Sequence, residues 1–528
     1  MSPASASRCV GDMCCSEGVS VTTGYFAGWP GRGSTSLSAV SVPHNQASDQ
    51  RIRFSVLQRS EMERIHESSI HILEKVGIIL NYPPARELLC AHGAAVDETR
   101  PLVRIPRNLV EQALRAAPRS FTLYSQADPQ VDCRLGVGCR QYARPASGLN
   151  WIVDAHASSR RAVDPSDAIA WARVAGALPN IHFAAAAYDQ AGSPKAMELR
   201  ATATMLRCTG KPLMVSGVSG EGMRWVQRLT EVAQPAGRQP RVMVLSSVNS
   251  PLVYSWGQLE VAMVCAELGI PVLFNSSAVS GVTAPVTLAG DLVQMNAEML
   301  AALVVIQLHR PGAAAVYTPH PVIMDMRSGS ASFGFAEIGL LAAASIDLGR
   351  YYGLPTASDG LTTDACTPDP VAAIEKWASG YLPALAGADI SGGAGALASQ
   401  STISLEQLVI DDHIYGNILR HIRGIEVNDE TLAEELIAQV GPGGSYLAEE
   451  HTLRHYRQET WYSRLASRLS APSWEAAGAK DAVQRAAEMV QRILAASEEP
   501  LLTTEQSREL DQLAIQGEQA LEKIEIPI

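Results

Sequence analysis

The chain has 528 residues, of which 47% are hydrophobic and 18% are charged, and its formal net charge at pH 7 is -12. This composition is typical of a large globular protein and excludes a disordered or fibrous chain. Because the acidic balance comes without a clustered run of Lys and Arg, it argues against nucleic acid as a partner.

Nine cysteines are scattered along the chain without a CxxC pair or a Cys/His zinc spacing. We therefore predict neither a disulfide framework nor a bound metal. The most apolar stretch, residues 286–308, carries Asp291, Asn296 and Glu298, and charges at a bilayer centre are costly. A buried helix is predicted there, in a protein that is soluble, cytoplasmic and without membrane contact.

The N-terminal part of the chain divides into two segments. Residues 1–48 are rich in Ser, Gly, Ala and Pro without hydrophobic periodicity, which predicts a disordered leader. After the leader, apolar residues recur at roughly helical spacing between Ser60, a capping residue, and Gly77. This pattern predicts a helical N-terminal cap over residues 49–120.

Past Pro118, short apolar runs alternate with longer helical patterns. Seven runs close on small or polar residues: IHFAAAAY from Ile181, PLMVSG from Pro212, VMVLSS from Val242, IPVLFNSS from Ile270, AAAVYTPH from Ala313, GLPTASDG from Gly353 and ADISGG from Ala388. The alternation is typical of a parallel sheet. An open doubly wound sheet would show it too, but such sheets usually carry a phosphate-binding glycine motif that is missing here. We therefore predict an α/β fold, a (β/α)₈ TIM barrel over residues 121–440, with its chemistry at the carboxyl ends of the strands.

The last part of the chain, residues 441–528, changes character and has helical spacing in two stretches, 481–496 and 504–524. It predicts a C-terminal helical extension. Just before it, Asp411 and Asp412 in LVIDDHIYG are predicted to cap a helix.

Six stretches resemble, in order, segments of the trimethylamine methyltransferase family. Two of them look like family signatures, SGVTAPVTLAGDLVQMNAEMLAALVVIQLHRPG from Ser280 and VGPGGSYLAEEHTLRHYRQETW from Val440. The other four are RSGSASFGFAEIGLLAAASIDLGRYYGLPT from Arg327, LTTDA from Leu361, AAIEKW from Ala372 and LEQLVIDDHIYG from Leu405. The resemblance extends from about Arg53 to the C-terminus.

The resemblance implies a barrel that presents a methylated amine to the Co(I) corrinoid of a small partner protein, as in the one-carbon metabolism of methanogenesis. Some members of the family carry pyrrolysine in the region that here reads DGLTTDACTPD. This chain has no pyrrolysine, and Asp364 and Cys366 lie in that region. The chain is thus similar to the branch that includes glycine betaine methyltransferases, which implies a quaternary amine as substrate. His413 and the segment TPDPVAA depart from the family pattern.

A methyl transfer from a quaternary amine to cobalt releases a neutral tertiary amine, so it needs no proton donor. We assign no catalytic residue, because cobalt is the nucleophile and nothing local activates the Cys366 thiol. Residues near strand ends are predicted to hold the cation and a substrate carboxylate through aromatic faces, amides and guanidinium groups. They are Tyr142, Arg144, Trp151, Asn275, Tyr317, His320 and Arg327.

Other interpretations remain open from the sequence. Arg144 could pair with a surface acid, His320 could be a structural loop histidine, and Asn275 could serve a turn. The chain could instead run a tetrahydrofolate- or corrinoid-linked methyl transfer on another small metabolite. It could also be a non-catalytic betaine-binding barrel. A homo-oligomer is expected, because the C-terminal extension offers a surface for association.

Overall fold

The computed structural model describes residues 52–126, 128–136, 138, 140–154, 159–235, 237–497 and 499–525. The leader predicted over residues 1–48 lies outside the described residues. The regular elements of the N-terminal region are α1 (Arg59–His71), β1 (Ile78–Leu80), α2 (Pro83–Ala91), β2 (Ala95–Val96), β3 (Leu102–Arg104) and α3 (Arg107–Ala116).

The helix predicted before Gly77 is present. Helix α1 is capped by Gln58 instead of Ser60, and it continues through a π-helical turn, Ile72–Val76. Gly77 ends the turn at a φ of +85°, where a Cβ would lie 2.7 Å from the Val103 carbonyl oxygen. The region also holds a small antiparallel sheet of β1, β2 and β3. Strands of two or three residues are too short to show a period in the sequence.

Residues 120–423 alternate strands with helices. The strands are β4 (Ser120–Leu123), β5 (Cys133–Gly136), β6 (Tyr142–Pro145), β7 (Trp151–Ile152), β8 (Arg161–Ala162), β9 (Ala184–Ala185), β10 (Leu213–Ser216), β11 (Val242–Val248), β12 (Val253–Tyr254), β13 (Val272–Ser276), β14 (Val279–Ser280), β15 (Ala315–Pro319), β16 (Val322–Asp325), β17 (Ser330–Ser332), β18 (Ala357–Ser358), β19 (Ile390–Ala394), β20 (Ala396–Leu397) and β21 (Thr402–Ile403). The helices are α4 (Pro165–Ala177), α5 (Met197–Cys208), α6 (Gly220–Ala233), α7 (Trp256–Leu268), α8 (Leu288–His309), α9 (Ala336–Tyr351), α10 (Pro370–Ala386) and α11 (Leu405–Arg423).

Eight of these strands run parallel in two sheets, one of β9, β10, β11, β13 and β15 and the other of β6, β19 and β18. Each of the seven predicted strand runs contains one of them, and β6 is the eighth. Backbone hydrogen bonds also link the sheets at both ends. The Tyr317 amide donates to the Pro355 carbonyl at 2.9 Å, and the His182 amide donates to the Ala143 carbonyl at 2.8 Å.

Both faces of the parallel strands are buried, which is why they appear in the sequence as apolar runs. One face packs against the helices in the largest apolar cluster. The other face contributes to a separate cluster that all eight strands share, together with Leu123, Cys133 and Leu135 from the β4–β5 hairpin: Tyr142, Phe183, Ala185, Met214, Met243, Leu273, Val316, Ala357 and Ile390. The hairpin thus closes an apolar layer over the amino ends of the strands.

Helix α8 is the buried helix predicted between residues 286 and 308. By length and composition it could cross a membrane, but 78% of its apolar window is buried inside the protein. It packs against α1, α3 and the strands β13 and β15. This is the environment of a core helix.

The C-terminal region is helical, with α12 (Asp429–Leu432), α13 (Glu434–Val440), α14 (Glu450–Glu459), α15 (Ala471–Ala476), α16 (Ala482–Ala495) and α17 (Thr504–Glu522). The two predicted helical stretches correspond to α16 and α17. Helix α16 packs on α4 and α11, and α17 packs on α5 and α6. Both therefore lie against helices that pack on the parallel strands.

Candidate functional site

A buried cluster of three polar side chains lies where three parallel strands end. Arg144 is on β6, Asp359 directly follows β18, and His320 directly follows β15. The Arg144 Nη2 donates to Asp359 Oδ1, and His320 Nδ1 lies 3.1 Å from Asp359 Oδ2. The side chains of Arg144 and Asp359 are only 4% and 10% exposed. The structure thus brings together two predicted residues, Arg144 and His320, through a carboxylate that was not among the predicted site residues.

The charges within this cluster balance. Burial alone would raise the pKa of the Asp359 carboxyl, but the adjacent Arg144 guanidinium and His320 bring it below its ordinary value, so Asp359 is ionised. Burial lowers the pKa of His320 from its ordinary value of 6.5, with Asp359 opposing and Arg144 reinforcing the shift. His320 is therefore neutral at pH 7. Since a carboxylate oxygen only accepts, the contact with Asp359 favours the proton on Nδ1, and Nε2 is then an acceptor.

A glycine lets the ion pair form. Ser391 on β19 is in register with Ser358 on β18 and with Ala143 on β6, which places Gly392 between the two charged residues. A Cβ at Gly392 would overlap both Asp359 Oδ1 and the Arg144 Cζ atom. The bare backbone at this position is a condition for the contact between Arg144 and Asp359.

Several buried polar atoms at the carboxyl ends of the strands have no hydrogen-bond partner within the described part of the chain. They are Arg144 Nε, Ser147 Oγ, Asn275 Oδ1 and His320 Nε2. Asn275 is buried on β13, two residues after the inward-facing Leu273 and so on the same face. Its Nδ2 approaches Ser247 Oγ at 3.5 Å. Because buried polar groups are normally satisfied, these atoms point to a bound ligand or ordered water.

Two further residues of the site are not among the predicted site residues. Phe333 follows the β16–β17 hairpin, and its ring centroid lies 5.2 Å from that of His320. Ser277 Oγ lies 3.3 Å from His320 Nδ1. Phe333 belongs to the family-like stretch from Arg327 and Ser277 closes the apolar run from Ile270, but nothing in either stretch distinguishes them from their neighbours. They reach the cluster only through the fold.

The other four predicted substrate-binding residues are not brought to this cluster. Tyr142 lies in the apolar layer at the amino ends of the strands, with its hydroxyl accepting from the Arg134 amide at 3.1 Å. Tyr317 faces the helices, where its hydroxyl donates to Asn296. The Arg160 Cζ atom lies 4.7 Å from the ring centroid of Trp151. Arg327 is at the exposed tip of the β16–β17 hairpin. A substrate contact by these four stays a prediction.

The carboxylate of Asp364 holds the loop that contains Cys366. This carboxylate accepts from the Phe333 and Gly334 amides at 2.8 and 3.1 Å, from Ser399 Oγ at 2.8 Å, and from Ser332 Oγ. Cys366 is exposed, and its Sγ lies 3.9 Å from the Asp364 carbonyl oxygen. Asp364 therefore joins three loops at the rim of the site.

The prediction that Asp411 and Asp412 cap a helix is wrong. Ser404 is the N-cap of α11, and both aspartates are buried inside that helix. Asp411 Oδ2 lies 2.8 Å from Lys376 Nζ, and Asp412 Oδ1 accepts from the Asn180 amide at 2.7 Å. The pair was misassigned because two adjacent aspartates favour a cap locally, whereas partners on other elements satisfy them here.

Among the described residues, no group of three or more His, Cys, Asp or Glu side chains could hold a metal ion. What the fold and the cluster define is an α/β protein with a buried, charge-balanced site at the carboxyl ends of parallel strands, the usual place of an active site in such folds. A family model described as trimethylamine methyltransferase matches residues 31–521. The chain belongs to the trimethylamine methyltransferase family.

Individual relatives are similar over most of the chain. It is 33% identical to the trimethylamine methyltransferase of Methanosarcina barkeri, over 84% of this chain and 91% of the relative. It is 32% identical to that of Desulfitobacterium hafniense strain DSM 10664 / DCB-2, over 82% and 88%. It is 31% identical to the glycine betaine methyltransferase of Desulfitobacterium hafniense strain Y51, over 86% and 95%. The monomethylamine methyltransferase structure of Methanosarcina barkeri aligns over 90% of each chain with a TM-score of 0.48 and 10% identity.

Membership of this family supports methyl transfer from a methylated amine as the activity of the protein, and thus supports its being an enzyme. The identities to trimethylamine and glycine betaine methyltransferases differ by one or two percentage points. The substrate within the methylated amines therefore has to be argued from the site.

Proposed function

We propose that this enzyme takes a methyl group from a quaternary amine that also carries a carboxylate, as glycine betaine does, and transfers it to the Co(I) corrinoid of a small partner protein. The observation that carries the proposal is the charge-balanced cluster of Arg144, Asp359 and neutral His320 with unpartnered buried polar atoms beside it. A site without net charge suits a zwitterion, because burying an uncompensated cation is costly.

Within this cluster, Arg144 is the residue suited to the substrate carboxylate. Its Nη2 donates to Asp359 and its Nη1 donates to the Pro145 carbonyl, which leaves Nε as a donor. The Asp359 carboxylate and the Asn275 Oδ1 atom supply negative potential for the ammonium group. His320, as an acceptor at Nε2, would not compete with Arg144 for the carboxylate. Arg144, and not His320, is therefore the residue proposed to hold the substrate carboxylate.

When bound, the corrinoid of the partner supplies a cobalt nucleophile to which the methyl group moves. The residues of this chain have to exclude water from the ammonium group and hold it in line for the transfer. A neutral tertiary amine leaves, so the site needs no proton donor, and a neutral His320 agrees with that. The unpartnered atoms at the carboxyl ends of the strands provide polar contacts for the amine that is presented to the corrinoid.

The absence of pyrrolysine from this sequence also supports a quaternary substrate. Cys366 stands exposed in the corresponding region, and Asp364 fixes the loops around it. We propose that Cys366 fills space at the rim and does not react. The comparisons give no support to a tetrahydrofolate-linked reaction, and we do not propose one.

We further propose that the two parallel sheets are parts of one closed (β/α)₈ barrel over residues 121–440, between a cap over residues 49–120 and an extension over residues 441–528. The support is the pair of backbone hydrogen bonds at Tyr317 and His182 and the apolar cluster that all eight strands share. Hydrogen exchange tests closure. We expect the Tyr317 and His182 amides to exchange as slowly as those of β11, and fast exchange at either would contradict closure.

The activity is tested with purified enzyme, a reduced corrinoid protein and a panel of amines, by following the loss of the Co(I) absorbance. Glycine betaine is expected to react and trimethylamine is not, and the substitution R144M is expected to reduce turnover of betaine. A matched control is R134M, which changes an exposed arginine on β5. Turnover of trimethylamine alone would contradict the proposed substrate. Tight betaine binding by calorimetry with no turnover on any corrinoid would favour the non-catalytic betaine-binding alternative.

The surroundings of the reaction are part of the same proposal. We propose a cytoplasmic homo-oligomer, since a Co(I) corrinoid needs a reducing compartment and the C-terminal extension offers surface for association. Light scattering on the purified protein gives the oligomeric state, and a monomer at working concentrations would contradict it.

A further inference from the structure

A buried ion pair lies behind the site, outside the cluster already described. Lys376 on α10 and Asp411 on α11 are both fully buried, with Lys376 Nζ 2.8 Å from Asp411 Oδ2. The ammonium group also donates to the Leu361 carbonyl at 2.6 Å and to the Gly393 carbonyl at 3.4 Å. The carboxylate accepts from the Gly395 amide at 2.6 Å and from Gln407 at 2.8 Å. The pair therefore holds two loops at once.

These two loops are the ones that carry the site. Leu361 comes two residues after Asp359, and Gly393 directly follows Gly392, the residue that leaves room for the ion pair of the site. Leu361 has a φ of +56°, an unusual conformation for a residue with a branched side chain. A strained backbone of this kind persists only where its surroundings enforce it, and Lys376 binds the carbonyl of that residue.

Other side chains of α10 hold the rest of the same loop. Ser379 Oγ accepts from the Thr362 amide at 3.0 Å. Glu375 accepts from the Thr363 hydroxyl at 2.5 Å and from the Asp364 amide at 3.0 Å. Glu375, Lys376 and Ser379 lie within about one turn of the helix, so every residue from Leu361 to Asp364 is bound by a single short stretch of α10.

The loop from Leu361 to Asp364 also binds the backbone of Phe333, the aromatic residue beside His320. The Thr362 hydroxyl donates to the Phe333 carbonyl at 2.9 Å, and Asp364 accepts from the Phe333 amide at 2.8 Å. Both backbone groups of Phe333 are thus bound by the loop that α10 holds. A shift of the loop would move Phe333 and Asp359 together.

We propose that Lys376 is a positioning residue of the active site, and that its ion pair with Asp411 fixes the loop 359–364 and the Gly392–Gly393 backbone so that Asp359 meets Arg144 and His320. A buried ion pair contributes little net stability compared with an apolar pair of similar volume, whereas it can enforce one conformation. The proposal places the function of the AAIEKW and LEQLVIDDHIYG segments in the geometry of the site. Its catalytic consequence rests on the proposed function, but its structural consequence does not.

The test is the double variant K376M/D411N. It removes both charges, and the amide oxygen introduced by D411N can still accept from the Gly395 amide, so no lone buried charge remains. We expect a folded protein in which turnover falls on the order of 100-fold, since a displacement of about 1 Å can cost that much. The matched control is K480M, the same substitution in an exposed ion pair with Glu488, and it should stay within about twofold of wild type.

A second readout does not depend on activity. Nitrogen-15 labelling of histidine, with H320Q to assign the signal, follows the titration of His320 in the wild type and in the double variant. If the loop moves Asp359 and Phe333, the titration midpoint of His320 shifts. An unchanged midpoint in a folded double variant overturns the proposal, whatever the turnover. If the wild type shows no methyl transfer at all, the proposed function fails while this readout still decides on the positioning role.

The variant S379A keeps the test decisive if the double variant does not fold. It removes only the hydroxyl that accepts from the Thr362 amide. We expect a smaller loss of turnover and faster hydrogen exchange at Thr362, with the His320 midpoint displaced in the same direction as in the double variant where that variant can be measured. Unchanged exchange and an unchanged midpoint in S379A contradict the positioning role of α10.

Discussion

The substitution D359N removes one charge from the buried cluster and leaves the shape of the side chain nearly unchanged. Arg144 then remains 4% exposed, and within the described part of the chain it keeps the Pro145 carbonyl as a partner but has no carboxylate beside it. Removing one partner of a buried ion pair costs about 3–5 kcal/mol. At about 1.4 kcal/mol per factor of ten, the unfolding equilibrium constant should rise about 100- to 4,000-fold.

The assay is urea unfolding followed by tryptophan fluorescence, with D511N as the matched control. Asp511 forms an ion pair with Arg207 at 2.6 Å, but its side chain is 66% exposed, so D511N should cost no more than about 1 kcal/mol. The double variant R144M/D359N removes the stranded charge and should recover most of the stability lost in D359N. Equal losses of stability in D359N and D511N would contradict the expectation, because the two ion pairs are compared only for their difference in burial.

Three further substitutions test separate features of the site. G392A should destabilise the fold by about 1–3 kcal/mol through overpacking, and it should reduce turnover. The control G257A should be nearly neutral in urea unfolding, because a Cβ at Gly257 would meet its nearest neighbour, the Val218 carbonyl oxygen, at 3.5 Å. The pKa of His320 is lower in the folded protein than its ordinary value of 6.5, so the unfolded chain takes up the proton first and stability falls as the pH drops below about 6.5. Between about pH 7.5 and 5.5 the urea midpoint should therefore fall more in wild type than in H320Q. His413, whose pKa is also lowered, is present in both proteins and does not contribute to the difference. An equal fall of the urea midpoint in the two proteins would contradict a lowered pKa of His320. C366S should keep turnover within about twofold of wild type and abolish labelling at this exposed thiol, and a tenfold loss would assign Cys366 a chemical role.

The sequence located the ends of seven of the eight parallel strands but not the direction of each side chain. Asn275 closes one of the predicted apolar runs, whereas Arg144 lies on β6, which is not among those runs. Tyr317 shows the limit: it is one position from inward-facing Val316, and that single step turns its ring toward α8. Successive side chains of a strand point to opposite faces, so choosing a residue one position away places its side chain on the wrong face of the sheet. Tyr142 has the right phase for an inward position but lies too close to the amino end of its strand.

The partners of the site residues were harder to predict than the residues themselves. The pairing of Asp359 with Arg144 joins positions 215 residues apart, and no local pattern encodes such a distance. The same holds for Lys376, which is an ordinary helix residue in the sequence and a buried cation in the fold. Local propensity favoured a cap for Asp411 because its real partner lies on another helix.

The hairpin of β4 and β5 has a consequence for the order of events. Its apolar residues cover the amino ends of the strands, so in the proposed barrel an amine would reach the site from the carboxyl ends. In the proposed reaction the corrinoid protein would dock at those same ends. The amine would then enter before the corrinoid protein docks, and the demethylated product would leave after the corrinoid protein dissociates.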